Sequence, residues 1–370
     1  MAEKADPNEL AFRYTRIDGA PAGSENDILL IADVNGDGCS DLIVGGKFAP
    51  GPGRRPAAGN LVWYEYPAWQ RHVIGCGELE AGGVAWDLTG TGRPDVIAGE
   101  QGSGRYLYWW ENAGEAAGPA GPWQRRVIAD RFLKYHDQAV GDVDGDGEPE
   151  LVVLSQGARK VVYFDIPADP RVEPWPEDRC HLIHDGVEVE GARIADVDGD
   201  GVNEIVAGAN VFKPGDDPAQ PWQRRVLIDD FAQARVALAD LNGDGTTDVI
   251  LAEGESSPGR LVWLEGPDFR KLHILRDDLF HPHSLEVADF TGDGHVDIFC
   301  GEMHLGKNPA PKLLVLLNDG AGNFREVVID CPQGTHEAKL AYLGRSARPS
   351  IVGKPYLPYN QIDLWEIVSE

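Results

Sequence analysis

A short acidic loop recurs along the chain and restricts the folds that these 370 residues can adopt. Each copy has aspartate at position 1, an oxygen-bearing side chain at position 3, glycines at positions 4 and 6, and a carboxylate at position 9. The six copies begin at Asp33, Asp87, Asp142, Asp196, Asp240 and Asp289. A seventh stretch, residues 340–356, keeps the apolar frame without any acid. Units that begin 44 to 55 residues apart are typical of propeller blades.

The segments between the loops follow one order in every unit. An apolar segment precedes the loop, and a β-rich segment such as Asp297–Cys300 follows it. An aromatic run such as Leu61–Tyr64 comes next, and then a run such as Trp123–Ile128 that opens with aromatic and basic residues. Helical periodicity is absent, so each unit predicts four strands. We therefore predict an all-β, seven-bladed β-propeller with four-stranded antiparallel blades, formed as a single domain by residues 1–370.

The two ends of the chain indicate how the ring closes. The last unit ends with its third strand, Ile362–Val368, and has no fourth. The N-terminal segment Phe12–Ile17 matches the fourth-strand pattern but has no blade before it. We predict that this N-terminal strand completes blade seven, which would cover an exposed sheet edge.

Side-chain oxygens at loop positions 1, 3, 5 and 9 suit a hard cation such as Ca²⁺. An EF-hand is excluded because strands flank the loop and the closing acid stands at position 9 rather than 12. Thr89 and Thr91 predict weak or no binding in blade two. The expected structural calcium ligands are Asp33, Asn35, Asp37 and Asp41; Asp142, Asp144, Asp146 and Glu150; Asp196, Asp198, Asp200 and Glu204; Asp240, Asn242, Asp244 and Asp248; and Asp289, Thr291, Asp293 and Asp297.

These loops and their spacing resemble FG-GAP/VCBS repeats, and the resemblance covers essentially the whole chain. It implies a propeller fold with calcium-type loops. It does not specify the activity, because propellers of this kind carry adhesion, lectin and lyase functions.

A polar pocket is predicted at the rim opposite the acidic loops. The loops join the first and second strands of each blade, so the start of strand one and the end of strand two meet at the other rim. Five of the ten histidines fall at these positions, beside carboxylates, amides and lysines. A convergent set of this kind is what a polar site needs.

We assign roles to these residues from their chemistry. Histidine titrates near neutrality and suits proton transfer. The catalytic candidates are His136, His283, His336, Tyr356, Lys354 and Tyr135. The substrate-binding candidates are Glu80, Glu100, Glu188, Glu190, Gln233, Arg235, Glu253 and Glu337. His281 and His283 share a strand face by alternation, and with Glu302 and His304 they suggest a mouth site for Zn²⁺, Mn²⁺, Fe²⁺ or Mg²⁺.

A second resemblance concerns the sixth and seventh units. Residues 281–311, with the segments GTHEAK and GKPY, are similar to the propeller domain of aldos-2-ulose (1,5-anhydrofructose) dehydratases. The resemblance implies a carbohydrate-active lyase or dehydratase that performs β-elimination on a keto-sugar or uronide. A non-catalytic sugar- or protein-binding propeller, lectin-like or integrin-like, and an isomerase or cyclase of secondary metabolism are the alternatives.

The charge of the chain restricts its partners. With 61 acidic and 33 basic residues the net charge is −28, which excludes nucleic acid and anionic membranes as expected partners. A small-molecule or carbohydrate substrate is expected instead. The N-terminus has no apolar signal region, so the chain as given is expected in the cytoplasm, or outside the cell if an export signal was trimmed.

Overall fold

The computed structural model describes residues 10–47, 59–112, 114, 123–218, 220–231, 233–344 and 346–368. They form seven four-stranded antiparallel sheets, each of which is one propeller blade. This confirms the predicted fold class. Among these described residues helix is almost absent, with a short 3₁₀ turn at Glu177–Arg179. Within the described residues no helix has the length and apolar character needed to cross a membrane.

The strands of the seven blades occupy four concentric positions. The first strands, next to the channel, are β2 (Ser24–Ala32), β6 (Val84–Trp86), β10 (Tyr135–Gly141), β14 (Ala192–Ala195), β18 (Ala234–Ala239), β22 (Pro282–Ala288) and β26 (Glu337–Ala341). The second strands are β3 (Asp41–Lys47), β7 (Asp95–Gly99), β11 (Glu150–Ser155), β15 (Glu204–Ala207), β19 (Asp248–Glu253), β23 (Asp297–Glu302) and β27 (Ser350–Lys354). The third strands are β4 (Leu61–Glu65), β8 (Leu107–Glu111), β12 (Lys160–Asp165), β16 (Asn210–Lys213), β20 (Gly259–Leu264), β24 (Lys312–Asn318) and β28 (Ile362–Ile367). The outer strands are β1 (Phe12–Asp18), β5 (Gln70–Gly75), β9 (Gln124–Ala129), β13 (Cys180–Asp185), β17 (Gln223–Val226), β21 (Leu272–Leu279) and β25 (Phe324–Asp330).

Contacts between neighbouring inner strands close the ring. β2 packs on β6, β6 on β10, β10 on β14, and so on through β26, which packs back on β2. β1 pairs antiparallel with β28 and is the outer strand of blade seven. The predicted closure by the N-terminal strand is therefore confirmed.

Apolar side chains between adjacent sheets form the core. The aromatic third strands supply its largest members, and the indoles of Trp109, Trp110, Trp263 and Trp365 are almost completely buried. Burying one such side chain contributes about 3 kcal/mol before its ordering entropy is subtracted. This packing lies between blades, which leaves the channel end of each blade free to carry polar groups.

Each acidic loop is organised by its own carboxylates. Asp33, at position 1, accepts hydrogen bonds from the backbone amides of Gly36, Asp37 and Gly38. The two glycines have φ of 78° and 85°, a region that favours glycine. The position-9 carboxylate is buried and links the loop to the rest of its blade. In blade six, Asp297 accepts from the amides of Phe290, 2.9 Å away, and Asn318, 2.8 Å away.

We expect Asp297→Ala to lower the free energy of unfolding by about 2–5 kcal/mol, even with calcium removed by EDTA. The substitution leaves two buried amides without acceptors, each costing about 1–3 kcal/mol. Urea unfolding monitored by tryptophan fluorescence measures the change. The control is Asp293→Ala, at the exposed position 5, which should alter stability in EDTA by less than about 1 kcal/mol. If Asp297→Ala changed stability in EDTA as little as Asp293→Ala, the carboxylate at position 9 would act only through a bound metal.

Candidate functional site

All seven blades contribute side chains to a cavity of about 420 Å³ at the rim opposite the acidic loops. Its lining mixes carboxylates, imidazoles, amides and lysines with a few apolar side chains. The lining residues are Asp27, Lys47, Glu80, Ala81, Gln101, Gly102, Lys134, His136, Glu190, Gln233, Glu255, His283, Met303, Leu305, His336 and Tyr356.

Three of these side chains sit at irregularities where an inner strand begins. The pairing register shifts between Asn26 and Ile28 in β2, between Tyr135 and Asp137 in β10, and between Pro282 and Ser284 in β22. The extra residues are Asp27, His136 and His283. A β-bulge changes the direction of the side chain it carries, and bulges are frequent beside active sites.

The imidazole of His283 lies on one wall of the cavity with its orientation fixed. Its Nδ1 donates to the backbone carbonyl of His336 at 2.7 Å. Its Nε2 therefore faces the carboxylates, 3.3 Å from Glu255 Oε1 and 3.6 Å from Glu190 Oε2. This arrangement is typical of a metal-binding histidine, whose second nitrogen is held by a backbone or carboxylate oxygen.

His136 repeats this arrangement from blade three. Its Nδ1 lies 2.7 Å from Asp137 Oδ2, and its Nε2 lies 3.5 Å from Glu190 Oε1. Glu190 thus stands between two imidazoles, and its side chain is only 3% exposed. Gln156 donates to Glu190 Oε1 at 2.6 Å, whereas Oε2 has no hydrogen-bond partner. A buried carboxylate oxygen without a partner indicates an incomplete site.

One ligand atom each from Glu190, Glu255 and His283 lies within 4.8 Å of the others. Two carboxylates and an imidazole match the preferences of first-row divalent ions. Without a cation, the imidazoles carry the compensating charge. Burial lowers the pKa of His283, but the nearby carboxylates of Glu190 and Glu255 outweigh burial and raise the pKa to about 10. For His136, burial is outweighed chiefly by the charge of Glu190, and the pKa rises to about 9.

The neighbouring wall carries a neutral imidazole. His336 stacks between His283 and Tyr356, with ring centroids 4.3 Å and 4.7 Å away. Burial and the positive charges of His283 and Lys354 hold the pKa of His336 well below its usual range. Lys354 Nζ lies 3.3 Å from His336 Nδ1, and burial lowers the pKa of Lys354 to about 8.

Asp27 is a further candidate for acid–base catalysis, and no role was assigned to it from the sequence. Burial raises its pKa to about 6, against the opposing charges of Lys354 and Lys47. Its Oδ1 has no hydrogen-bond partner and lies 3.9 Å from His336 Nδ1. Lys47 contacts Asp27 at 3.4 Å and Tyr356 Oη at 3.3 Å. A carboxyl that titrates near neutrality is suited to proton transfer.

Arg235 lies beneath the cavity and supports the histidine wall. Its guanidinium is 3.5 Å from Asp137 and 3.4 Å from Glu337, and all three side chains are buried. Asp137 in turn holds His136, so Arg235 is a positioning residue rather than a group that faces the cavity.

The structure brings some of the predicted residues into the cavity and places others behind it. Those that line it are His136, His283, His336, Tyr356, Glu80, Glu190 and Gln233. Tyr135 instead lies in the core, where its hydroxyl contacts the Phe132 amide at 3.1 Å. Glu100 accepts from the amides of Arg105 and Tyr106. The remaining predicted substrate-binding residues hold protein partners: Glu188 with Gln233, Glu253 with Arg260, and Glu337 with Lys339 and Arg235.

The set of mouth ligands predicted from alternation is not brought together. The carboxylate of Glu302 accepts from the amides of Phe280 and Lys312. His304 Nδ1 accepts from the Gly306 amide. His281 has a φ of 44°, and its Nδ1 lies 3.8 Å from Glu255 Oε2. The bulge at His283 breaks the alternation that would align the two histidines. Only His283 of the four belongs to the cluster, and Glu255 was missed as its partner.

At the opposite rim, two acidic loops among the described residues bring carboxylate oxygens close enough together to hold a cation. Asp142, Asp144 and Asp146 form one group, and Asp196, Asp198 and Glu204 form the other, each with atoms within 4.8 Å. The oxygen-only donors of the first group fit Ca²⁺. The calcium assignment of the loops stays a prediction.

Comparisons with known proteins agree with the fold. A family model described as FG-GAP-like repeat matches residues 87–153, 142–207 and 240–300. A solved structure of BBS1N in complex with ARL6DN has a TM-score of 0.62 at 12% identity, over 97% of each chain. The V. cholerae biofilm matrix protein Bap1 has a TM-score of 0.56 at 11% identity, over 95% of this chain and 89% of Bap1. No curated protein matches the sequence, so the dehydratase resemblance stays a prediction. The chain is thus a seven-bladed β-propeller in which residues 87–207 and 240–300 match the FG-GAP-like repeat.

Proposed function

We propose that the cavity at the channel mouth is the active site of a metal-dependent carbon–oxygen lyase, which eliminates water from a small keto-sugar or uronide. The observation that carries the proposal is the cluster of Glu190, Glu255 and His283, whose ligand atoms lie within 4.8 Å on the cavity wall. Zn²⁺, Mn²⁺, Fe²⁺ and Mg²⁺ are the candidate ions, with His136 Nε2 as a fourth ligand after a small movement.

The reaction would divide between two walls of the cavity. Glu190, Glu255 and His283 would hold the cation, which would supply positive charge near the substrate carbonyl oxygen. Asp27 would take the proton from the carbon next to that carbonyl. The electron pair of the broken C–H bond would form a C=C bond and expel the β-hydroxyl, which would accept a proton from Tyr356 or Lys47 and leave as water.

This scheme changes the roles assigned to the histidines. His136 and His283 each have Nδ1 engaged and Nε2 directed at a carboxylate, so they are better suited to ligation than to proton abstraction. His336, neutral between His283 and Tyr356, would hold Asp27 and the substrate in place. The cavity, about 420 Å³ and mostly polar, suits a ligand the size of one monosaccharide.

A non-catalytic binding propeller is the second candidate. The observation that favours it is the likeness to two solved structures, of which one is a complex with a partner protein and the other is a biofilm matrix protein. Both are below 13% identity, so they inform the fold rather than the ligand. A binding propeller would retain a sugar at the mouth without releasing water.

A panel of keto-sugars and uronides, assayed with each candidate metal, tests the proposal through the new ultraviolet absorbance of the unsaturated product. We expect His283→Ala to lower kcat/KM by about 1,000-fold through loss of the metal site. The matched control is His184→Ala on the outer strand β13, which should leave turnover unchanged. Sugar binding by calorimetry with no product for any substrate and metal would favour the binding propeller.

The pH profile should report Asp27. Burial raises the pKa of Asp27 to about 6, and a base must be deprotonated to act. We therefore expect kcat/KM to rise about tenfold per pH unit below pH 6 and to level off above pH 6. In Asp27→Asn this limb should vanish together with most of the turnover. An unchanged limb in Asp27→Asn would assign the base to another group.

A further inference from the structure

The blade-four loop differs from the other acidic loops in one contact. Lys213, the last residue of β16, places its Nζ 2.6 Å from Asp200 and 2.9 Å from Glu204, and it also contacts Asp198. The three N–H donors of an ammonium therefore meet three loop carboxylates. Among the ion pairs of the described residues, no other carboxylate at positions 1, 3, 5 or 9 of an acidic loop pairs with lysine or arginine.

Strand register shows that this lysine replaces an acid. In blade four Ile205 pairs with Phe212, and Lys213 follows. The equivalent pairs in four other blades are followed by carboxylates: Glu65, Glu111, Asp165 and Glu265. In blade one this position also reaches the loop, since Asn35 Nδ2 donates to Glu65 at 3.4 Å.

We infer that Lys213 is a built-in cation that replaces the divalent ion in blade four, so that this loop folds without calcium. An ammonium in contact with Asp198, Asp200 and Glu204 repels a second cation at the same ligands. It also ties the loop to the third strand of the blade through β16. The calcium site predicted from Asp196, Asp198, Asp200 and Glu204 is therefore not expected to form while Lys213 is present. The inference is independent of the function proposed for the mouth.

Substitution of Lys213 should open the site. We expect Lys213→Met to bind one more calcium ion per chain than the unsubstituted protein, measured by equilibrium dialysis with elemental analysis. The thermal midpoint of Lys213→Met should fall in EDTA and recover with calcium. The second variant is Lys213→Glu, which restores the acidic residue type found at this position in blades one, two, three and five. It should gain the same single ion.

The reciprocal exchange is the matched control. Glu65→Lys places an ammonium against the blade-one loop and should lower the bound calcium by one ion. An anomalous map of calcium-soaked crystals would locate the change in blade four or blade one. The inference is overturned if the unsubstituted protein holds calcium in the blade-four loop, or if neither Lys213 variant gains an ion.

Discussion

Replacing Glu190 with glutamine is expected to weaken divalent-metal binding at the channel mouth by about 100-fold or more, with turnover falling in parallel. Glu190 is the carboxylate that His283 Nε2 and His136 Nε2 both face, and its Oε2 has no hydrogen-bond partner. A carboxamide keeps the shape but removes the charge that attracts the ion. Loss of a supporting group near a metal already costs 10- to 100-fold, and a direct ligand should cost more. Metal titration by isothermal calorimetry gives the affinity.

The control for this prediction is Glu80→Gln, which makes the same chemical change in another carboxylate that lines the cavity. Glu80 lies outside the cluster of Glu190, Glu255 and His283, so metal affinity should change by less than about threefold. Equal losses in the two variants would show that the mouth attracts cations only through its overall negative charge.

Replacing Arg235 with methionine is expected to lower the free energy of unfolding by about 3–5 kcal/mol. The guanidinium lies between Asp137 and Glu337, all three side chains are at least nine-tenths buried, and its removal takes one shared cation away from two buried carboxylates. Breaking a buried ion pair from one side has an effect of this size. The measurement is urea unfolding at pH 7, with Arg13→Met as the control. Arg13 pairs with Glu366 at the surface with 66% of its side chain exposed, and its loss should cost less than about 1 kcal/mol.

A second variant separates loss of charge from loss of packing at Arg235. In Arg235→Met combined with Glu337→Gln, the second substitution removes the negative charge that Arg235 no longer balances, so part of the lost stability should be recovered. If the free energy of unfolding of Arg235→Met were no lower than that of Arg13→Met, the role assigned to the buried guanidinium would be contradicted.

The fold was predictable because its information is local and repeated. The loops from Asp33 to Asp289 mark one turn in each blade, and the aromatic third strands that contain Trp109 and Trp263 mark the core. The rim opposite the loops followed from topology alone, since the ends of paired strands must meet. Closure by Phe12–Asp18 followed from a missing strand at one end and a surplus strand at the other.

The exact membership of the site was not predictable, because it depends on how strand ends depart from regular pairing. Alternation would place His281 and His283 on one strand face, whereas the bulge in β22 breaks the alternation and directs His283 towards Glu190 and Glu255. Asp27 likewise owes its place in the cavity to a bulge in β2. No sequence signal marks these bulges. Glu302 and Tyr135 show the converse, since both lie at the predicted rim but are occupied by nearby backbone amides.

The most direct test of the proposed metal site is an anomalous difference map from crystals soaked in Mn²⁺ or Zn²⁺. We expect a peak at the channel mouth about 2.0–2.3 Å from His283 Nε2 and from oxygens of Glu190 and Glu255. A map with ions in the acidic loops but no density at this cluster, or with an ion held by His281, Glu302 and His304, would contradict the account.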